Sequence, residues 1–374
     1  MEAGNDAMAS ALPEDWAAGT FLGRATTAEG PSPILFVRGE LYDMARVAPT
    51  VSALVERGDF SGQGGLHLGA YVPRAEELLS PVDLQCVKAC GVTFAVSAIE
   101  RVIEERARGD WSVAAAIRER LEGRIGGSIR AVEPGSPAAA SLKEALIEDG
   151  LWSQYLEVAI GPDAEVFTKS PVLATVGADA EIGVRSDSTW NNPEPEVALL
   201  VDSRGQVVGA TLGNDVNLRD FEGRSALLLG KAKDNNASCA LGPLVRIFDD
   251  SFTIDHVRGA TVTLRVEGED GYVLEGASNM AEISRDPLEL VRQALSEHQY
   301  PDGFVLFLGT LFAPVQDRDH PGRGFTHKIG DTVAIASPKL GRLVNRVVTS
   351  KDAPPWIGGI GALMTNLARR GLLG

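Results

Sequence analysis

A β-hairpin with carboxylates at its open end is the feature that most constrains how this chain can fold. The segments "VALLV" and "VVGATLG" are aliphatic runs, and the glycine-containing turn "DSRGQ" separates them. This pattern predicts two antiparallel strands joined by a short loop. If Asp202 pairs with Val207 across the turn, Glu194 lies opposite Asp215 at the other end of the hairpin. The hairpin therefore brings distant carboxylates together.

These carboxylates are candidates for a metal site. Glu194 and Glu196 are two residues apart, so their side chains share one face of an extended strand. With Asp215, three carboxylates converge beside an apolar strand. Ligands that are all oxygen favour Mg²⁺, Mn²⁺ or Ca²⁺ over zinc, which prefers histidine and cysteine. On spacing alone, a group of surface acids paired with arginine or lysine is an open alternative.

Charge and hydropathy exclude several classes of partner. The formal net charge of −16 argues against a nucleic acid or an anionic membrane as partner, because phosphate contacts need basic patches. No segment approaches the ~20 continuous apolar residues of a membrane-spanning helix. The N-terminal residues lack the basic and then apolar pattern of a signal peptide. We therefore expect a cytoplasmic protein with neither a nucleic-acid nor a membrane partner.

The character of the sequence changes near residue 155, which predicts two domains. Residues 1–155 combine short strands with helical patterns and predict a smaller α/β domain. Residues 156–374 are rich in β-branched residues and glycine turns, and predict a β-dominated domain. Together they indicate an α+β fold.

Helical spacing marks five segments. The apolar residues of "PVDLQCVKACGVTFAVSAIERVIEERARG" predict one long helix from about Pro81, on which Cys86 and Cys90 share a buried face. The three cysteines show no metal-ligand spacing and no disulfide framework. Further helices are predicted at 111–121, 136–152 and 286–299, and in the tail from residue 352. The tail helix is expected on the surface or on a neighbouring subunit.

Several motifs in a fixed order resemble the catalytic domain of the fumarylacetoacetate hydrolase superfamily over about residues 160–348. They are "EVFTKSP", "PEPEVALLV", "GNDVNLRDFE", "GKAKDNNASCALGP", "LGTLFAP" and "KIGDTVAIASPKLGRLVNRVV". The resemblance implies a mixed β-sandwich roll and a divalent metal, usually Mg²⁺, held by Glu194, Glu196 and Asp215. It also implies substrates that carry a 2-oxo acid or 1,3-diketone unit, and a homodimer or homotetramer.

A catalytic histidine distinguishes the hydrolase branch of this superfamily from the dehydratase branch. Its hydrolases activate water with a histidine that a carboxylate assists, yet no histidine lies between Glu165 and His256. His67 lies upstream in a glycine-rich segment, and His320 and His327 are expected to be structural. Glu165 and Lys233 instead form an acid–base pair that resembles the dehydratase branch acting on 2-keto-3-deoxy-D-arabinonate or -xylonate.

The resemblance implies further contacts and a reaction. Phe167, Arg219, Gly309 and Thr310 are expected to bind substrate. A core position for Phe167, a supporting salt bridge for Arg219 and a plain turn at Thr310 are open alternatives. Glu222 stands where many relatives carry glutamine. The expected reaction is Mg²⁺-dependent dehydration of a 2-keto-3-deoxypentonate to 2,5-dioxopentanoate, in non-phosphorylative pentose catabolism.

Other activities remain open from the sequence. The main alternative is an acylpyruvate or diketo-acid hydrolase in which His67 or a histidine on a mobile loop activates water. A 2-oxo acid decarboxylase or isomerase on the same site is a third reading. A metal-binding protein without catalysis is disfavoured, because metal binding alone needs neither Glu165 nor Lys233.

Overall fold

A ten-stranded mixed sheet dominates the fold. The computed structural model describes residues 11–373 except 71–72, 75–76, 115, 119–128, 130–131, 313 and 320–323. The strand order is β4-β3-β2-β1-β12-β10-β9-β15-β5-β6. In chain order these strands are β1 (Thr20–Thr27), β2 (Gly30–Val37), β3 (Glu40–Asp43), β4 (Leu66–Gly69), β5 (Cys86–Gly91), β6 (Glu165–Ser170), β9 (Pro195–Val201), β10 (Val207–Asp215), β12 (Cys239–Ile247) and β15 (Phe304–Phe307).

Two smaller sheets complete the β-structure. The order of the five-stranded sheet is β14-β13-β16-β17-β7, and β8 pairs with β11 in a two-stranded sheet. The strands are β7 (Glu181–Val184), β8 (Asn191–Asn192), β11 (Asn217–Leu218), β13 (Thr261–Glu267), β14 (Val273–Asn279), β16 (Thr332–Ser337) and β17 (Gly341–Thr349).

Helices lie between and around the sheets. They are α1 (Val51–Arg57), α2 (Ala95–Ala107), α3 (Pro137–Glu148), α4 (Gln154–Ile160), α5 (Arg219–Glu222), α6 (Leu229–Lys233), α7 (Ile254–Arg258), α8 (Pro287–Leu295) and α9 (Ile360–Arg369), with 3₁₀ turns at Ala226–Leu228 and Met280–Glu282. Among the residues described, no helix has both the length and the apolar character needed to cross a membrane.

Strand β9 explains how the layers pack. All its residues are buried, as expected of a central strand covered on both faces. Val197 and Leu199 alternate with Ala198 and Leu200. The first pair packs in the core shared with the five-stranded sheet, and the second packs in the cluster that contains α1. The two large sheets thus form a sandwich, and the structure confirms the predicted α+β class with its mixed sheets.

The predicted hairpin has the expected register near the carboxylates. At the turn the pairing is Val201 with Val207, one residue away from the predicted pair, and a bulge follows. Beyond the bulge Gly213 pairs with Glu196, and the Asp215 N–H donates to the Glu194 carbonyl at 3.1 Å. The bulge removes the one-residue error, so the predicted juxtaposition of Glu194 and Asp215 is confirmed.

The long helix predicted from Pro81 is wrong in its first part. Residues Cys86–Gly91 form strand β5, and only Ala95–Ala107 are helical. Strand β5 pairs in parallel with β15 and antiparallel with β6. These ladders override the local apolar spacing. Cys90 is buried as expected, but Cys86 is only half-buried.

The other predicted helices are present but shorter than predicted, since α3 ends at Glu148, α8 ends at Leu295 and α9 begins only at Ile360. Ser136 caps α3 and Asp286 caps α8 with their side chains. Positions 111–114 and 116–118 are helical, and the other four positions of the predicted 111–121 helix lie outside the described residues. In the tail, the Asn366 side chain of α9 donates to the Glu29 carbonyl at 2.9 Å, in the β1–β2 turn.

The division near residue 155 stays a prediction. Strands β1 to β5 precede it and β6, β9, β10, β12 and β15 follow it, yet all of them belong to the ten-stranded sheet. The two parts of the sequence therefore share one sheet, whatever units they form during folding.

Candidate active site

Three carboxylates meet where β9 begins and β10 ends. Ligand oxygens of Glu194, Glu196 and Asp215 all lie within 4.8 Å of one another. Their side chains are buried, with at most 2% of each residue exposed. Buried charges of like sign repel one another and are stable only when positive groups compensate them. The arrangement is thus suited to a divalent cation with oxygen ligands.

Glu196 gives the clearest test of whether a cation fits. Its carboxylate accepts hydrogen bonds from the Gly309 N–H at 2.7 Å and the Thr310 hydroxyl at 3.2 Å. Both donors are neutral, and no described side chain forms an ion pair with Glu196. Burial, together with the charges of Asp215 and Glu194, raises the pKa of Glu196 well above its ordinary value. A bound cation would supply the missing positive charge, so these residues fit a metal.

The other two carboxylates contact cationic side chains. The Lys233 ammonium donates to Glu194 and, at 3.0 Å, to Asp215. Lys169, fully buried, lies 2.7 Å from the second oxygen of Asp215. Burial would raise the pKa of Glu194, but Lys233 and Arg101 outweigh it and lower that pKa to about 2. Burial opposes the ammonium form of Lys233, yet Asp215 and Glu194 hold its pKa well above the usual range.

Glu165 has a different environment at the edge of the sheet. It begins β6 and pairs with Gly91 of β5. A Cβ atom at residue 91 would lie 1.9 Å from the Glu165 carboxylate, so a side chain there would displace the carboxylate from its present position. Burial, followed by the charge of Glu222, raises the pKa of Glu165 to about 7. Near neutral pH this carboxyl group can therefore give or take a proton.

These groups share one cavity. Its lining includes Glu165, Phe167, Glu194, Asp215, Lys233 and Thr310 from the predicted site, together with Ser97, Glu100, Arg101, Glu104 and Glu222. The Lys233 ammonium lies 5.8 Å from the centre of the Phe167 ring. The carboxyl group of Glu165, the ammonium group of Lys233 and the carboxylate cluster thus face the same space. This combination of groups can support metal-assisted proton transfer.

The expected substrate contacts take different positions. Phe167 and Thr310 line the cavity, whereas the Gly309 N–H is directed at Glu196. Gly309 has φ +103°, and a Cβ there would collide with Thr93. Arg219 is buried outside the cavity lining, with Nε 3.2 Å from Glu104. The substrate-binding roles of all four residues stay predictions.

Helix α2 contributes a polar wall that the sequence reasoning missed. Ser97, Arg101 and Glu104 follow helical spacing and face the cavity. Arg101 and Glu104 are buried, at 8% and 1% exposed. A signal for them existed, because charged residues on the buried side of a helix are rare unless they are paired or functional. The apolar residues around Arg101 and Glu104 obscure this signal in the sequence.

No described histidine lines the cavity. His67 is exposed on β4, the edge strand opposite β6, and contacts Glu40 at 2.8 Å. His327 is buried against Asp331 at 3.2 Å. His256 and His298 are exposed, and His320 lies outside the described residues.

Curated relatives are named dehydratases. The chain is 28% identical over 309 residues to a probable 2-keto-3-deoxyxylonate dehydratase of Haloferax volcanii, which covers 82% of this chain and 87% of that protein. It is 32% identical over 183 residues to a 2-dehydro-3-deoxy-D-arabinonate dehydratase of Saccharolobus solfataricus. That second match covers 49% of this chain and 58% of that protein.

Solved structures share the fold. A 2-keto-3-deoxy-D-arabinonate dehydratase complexed with magnesium and 2,5-dioxopentanoate has a TM-score of 0.62 at 22% identity, covering 88% of this chain and 99% of that one. A fumarylacetoacetate hydrolase from Exiguobacterium antarcticum has a TM-score of 0.58 at 16% identity, with the same coverage. Residues 139–348 match the C-terminal domain of fumarylacetoacetate (FAA) hydrolase. The chain therefore belongs to the fumarylacetoacetate hydrolase family.

Proposed function

We propose that the protein is a hydro-lyase that dehydrates a 2-keto-3-deoxypentonate to 2,5-dioxopentanoate with the help of Mg²⁺. The observation that carries this proposal is the position of Glu165 and Lys233 beside the carboxylate cluster, in a cavity that no described histidine lines. The names of the curated relatives support the same reaction. So does the neighbour with magnesium and 2,5-dioxopentanoate bound.

Glu194, Glu196 and Asp215 would hold the cation. When bound, Mg²⁺ supplies a Lewis acid that polarises the 2-oxo group of the substrate. Three protein ligands leave other coordination positions for substrate and water. Mn²⁺ or Ca²⁺ in place of Mg²⁺ is compatible with the same oxygen ligands.

Glu165 and Lys233 would move the protons. We assign Glu165 as the base that removes a C3 proton, because its pKa near 7 leaves much of it ionised at neutral pH. Lys233 is the acid, because its raised pKa keeps the ammonium protonated. It gives a proton to the C4 hydroxyl, which leaves as water. A proton then moves from C5 to C3, and the resulting enol becomes the aldehyde.

The substrate's stereochemistry narrows the choice. D-Xylonate and D-arabinonate differ only at C2 and C3, and both centres are lost in the 2-keto-3-deoxy acids. The 2-keto-3-deoxy acids of D-xylonate and D-arabinonate are therefore one compound, whose only stereocentre is C4. Its enantiomer, 2-keto-3-deoxy-L-arabinonate, is the competitor that a test must include.

The hydrolase alternative finds no matching histidine among the described residues. His67 lies on the edge strand opposite the one that carries Glu165, and it pairs with Glu40 at the surface. A water-activating histidine would have to approach the cavity within hydrogen-bond reach.

We further propose that the protein acts in pentose catabolism and that it assembles as a homodimer or homotetramer.

A coupled assay tests the reaction directly. Purified protein is incubated with Mg²⁺ and either enantiomer, and a coupled aldehyde dehydrogenase oxidises any 2,5-dioxopentanoate. We expect turnover with the D enantiomer, loss of turnover with EDTA, and recovery on adding Mg²⁺. An acylpyruvate is run in parallel and followed by its enol absorbance. Cleavage of the acylpyruvate without aldehyde formation would overturn the dehydratase assignment.

A further inference from the structure

The cavity carries an excess of negative charge, although the proposed substrate brings a carboxylate group of its own. Six carboxylate side chains line it: Glu100, Glu104, Glu165, Glu194, Asp215 and Glu222. Among the described lining residues, only Arg101 and Lys233 are cationic. An anionic 2-oxo acid therefore enters a cavity with excess negative charge, and each positive group there is a candidate for binding it.

Arg101 connects the carboxylate cluster to a second pair of acidic side chains, Glu104 and Glu222. Its Nη2 donates to a Glu194 oxygen at 2.6 Å. Its Nη1 donates to Glu104 at 2.6 Å and lies 3.1 Å from Glu222. A guanidinium group can bridge several carboxylates in this way because it has five donors in a rigid plane. The ammonium of a lysine could not reproduce the geometry.

Both oxygens of Glu194 are in contact with cations, one with Arg101 and the other with Lys233. Each carboxylate oxygen has two lone pairs, so a divalent cation can bind Glu194 beside these contacts, but its charge repels both cationic side chains and weakens the contact that is most easily released. Lys233 also holds Asp215, which is itself in the cluster. Arg101 can leave Glu194 and keep both Glu104 and Glu222. Arg101 is therefore the group whose release costs least.

We propose that Arg101 binds the carboxylate group of the 2-oxo acid substrate through the Nη2 group that metal binding frees from Glu194. This inference rests on the proposed function and specifies how the substrate is recognised. Arg101 stays anchored by Glu104 and Glu222, so its free donors remain directed at the space beside the cluster. Arginine and carboxylate groups match in geometry, and charge-assisted hydrogen bonds of this kind are strong.

Calorimetry on Arg101→Gln separates the two binding events. The full-length protein is titrated with Mg²⁺, and then with pyruvate at saturating Mg²⁺. We expect R101Q to bind Mg²⁺ at least as tightly as the wild type, because a competing cation is gone. We expect it to bind pyruvate on the order of ten- to a hundredfold more weakly, as the loss of a charge-assisted hydrogen bond implies.

Two further variants control for structure. In R101Q, Glu104 keeps its ion pair with Arg219 but Glu222 loses its ion-pair partner. The double variant R101Q/E222Q therefore restores the charge balance and must show the same divergence. Arg118→Gln removes an arginine that pairs with Glu100 on the neighbouring part of the wall, and it should bind pyruvate within about threefold of the wild type.

The affinities of these variants for Mg²⁺ and pyruvate decide whether Arg101 binds the substrate's carboxylate group. Unchanged pyruvate affinity in R101Q and R101Q/E222Q, or a parallel loss of Mg²⁺ and pyruvate affinity, would overturn the role of Arg101. A wild-type protein that binds Mg²⁺ but not pyruvate would overturn it together with the proposed substrate class. If the predicted divergence is found and the dehydratase assay is negative, Arg101 keeps its role toward 2-oxo acids and only the proposed reaction fails.

Discussion

Two glutamates in the same cavity, Glu194 and Glu165, have opposite protonation behaviour. Glu194 contacts Arg101 and Lys233, and its pKa falls to about 2. No described residue forms an ion pair or hydrogen bond with the carboxylate of Glu165, and burial raises its pKa to about 7. The comparison shows that burial alone does not decide the charge of a carboxyl group. The nearest partners decide it.

Their positions in the sheet explain the difference. Glu194 precedes β9, a central strand where side chains from several elements converge. Glu165 begins β6, an edge strand with a neighbour on one side only. In the proposed function, the centre of the sheet thus supplies a fixed anion for the metal, and its edge supplies the carboxyl group that transfers protons.

The largest effect should follow from removing the fixed anion. We expect Glu194→Gln to lower turnover by at least about 10³-fold, because polarisation by the metal is worth several kcal/mol. Mg²⁺ affinity, measured by calorimetry, should fall as well. Glu157→Gln is a matched control, since Glu157 pairs with Lys143 at the surface. Turnover in E194Q close to that of E157Q would contradict the assignment of Glu194 to the metal.

Removing the proton carrier should separate turnover from metal binding. Glu165→Gln should lower turnover by about 10²–10⁴-fold, while Mg²⁺ affinity changes little because Glu165 does not contact the cluster. Lys233→Met should lower turnover over the same range. Single-turnover rates and Mg²⁺ titrations of both variants test this. Wild-type turnover in both would exclude them as acid and base.

A smaller effect is expected from Gly91, which pairs with Glu165 on the neighbouring strand. In Gly91→Ala the new methyl group would meet the Glu165 carboxylate at 1.9 Å, so the carboxylate must move. A displacement of about 1 Å costs up to ~10²-fold in rate. Gly361→Ala in α9 is the control, since nothing lies within 4 Å of its Cβ position. If G91A and G361A have equal turnover, the position of Glu165 does not matter for catalysis.

The carboxylate cluster could be predicted because its geometry is local. Glu194 and Asp215 belong to one hairpin, and strand alternation with a short turn determines which residues face each other. The bulge after Val207 was not predictable, yet it corrected the register.

The environment of Glu165 could not be predicted in the same way. It depends on the pairing of β6 with Gly91 of β5, which are far apart in the chain. The sequence of β5 also has a helical apolar spacing, so the strand was mistaken for a helix. Arg101 was missed for a related reason, because nothing local shows that helix α2 lies over the carboxylate cluster.

The pH dependence offers the finest test of the comparison. As the proposed base, Glu165 must be ionised, so kcat/KM should rise with pH through its pKa, at or below about 7 since a bound cation favours ionisation. After burial, the charge of Glu222 is the next cause that raises this pKa. Glu222→Gln removes that repulsion, and the rising limb should move to lower pH. In Glu165→Gln the limb should disappear from the residual activity. A limb that moves to higher pH in E222Q, or that persists in E165Q, would assign the titration to another group.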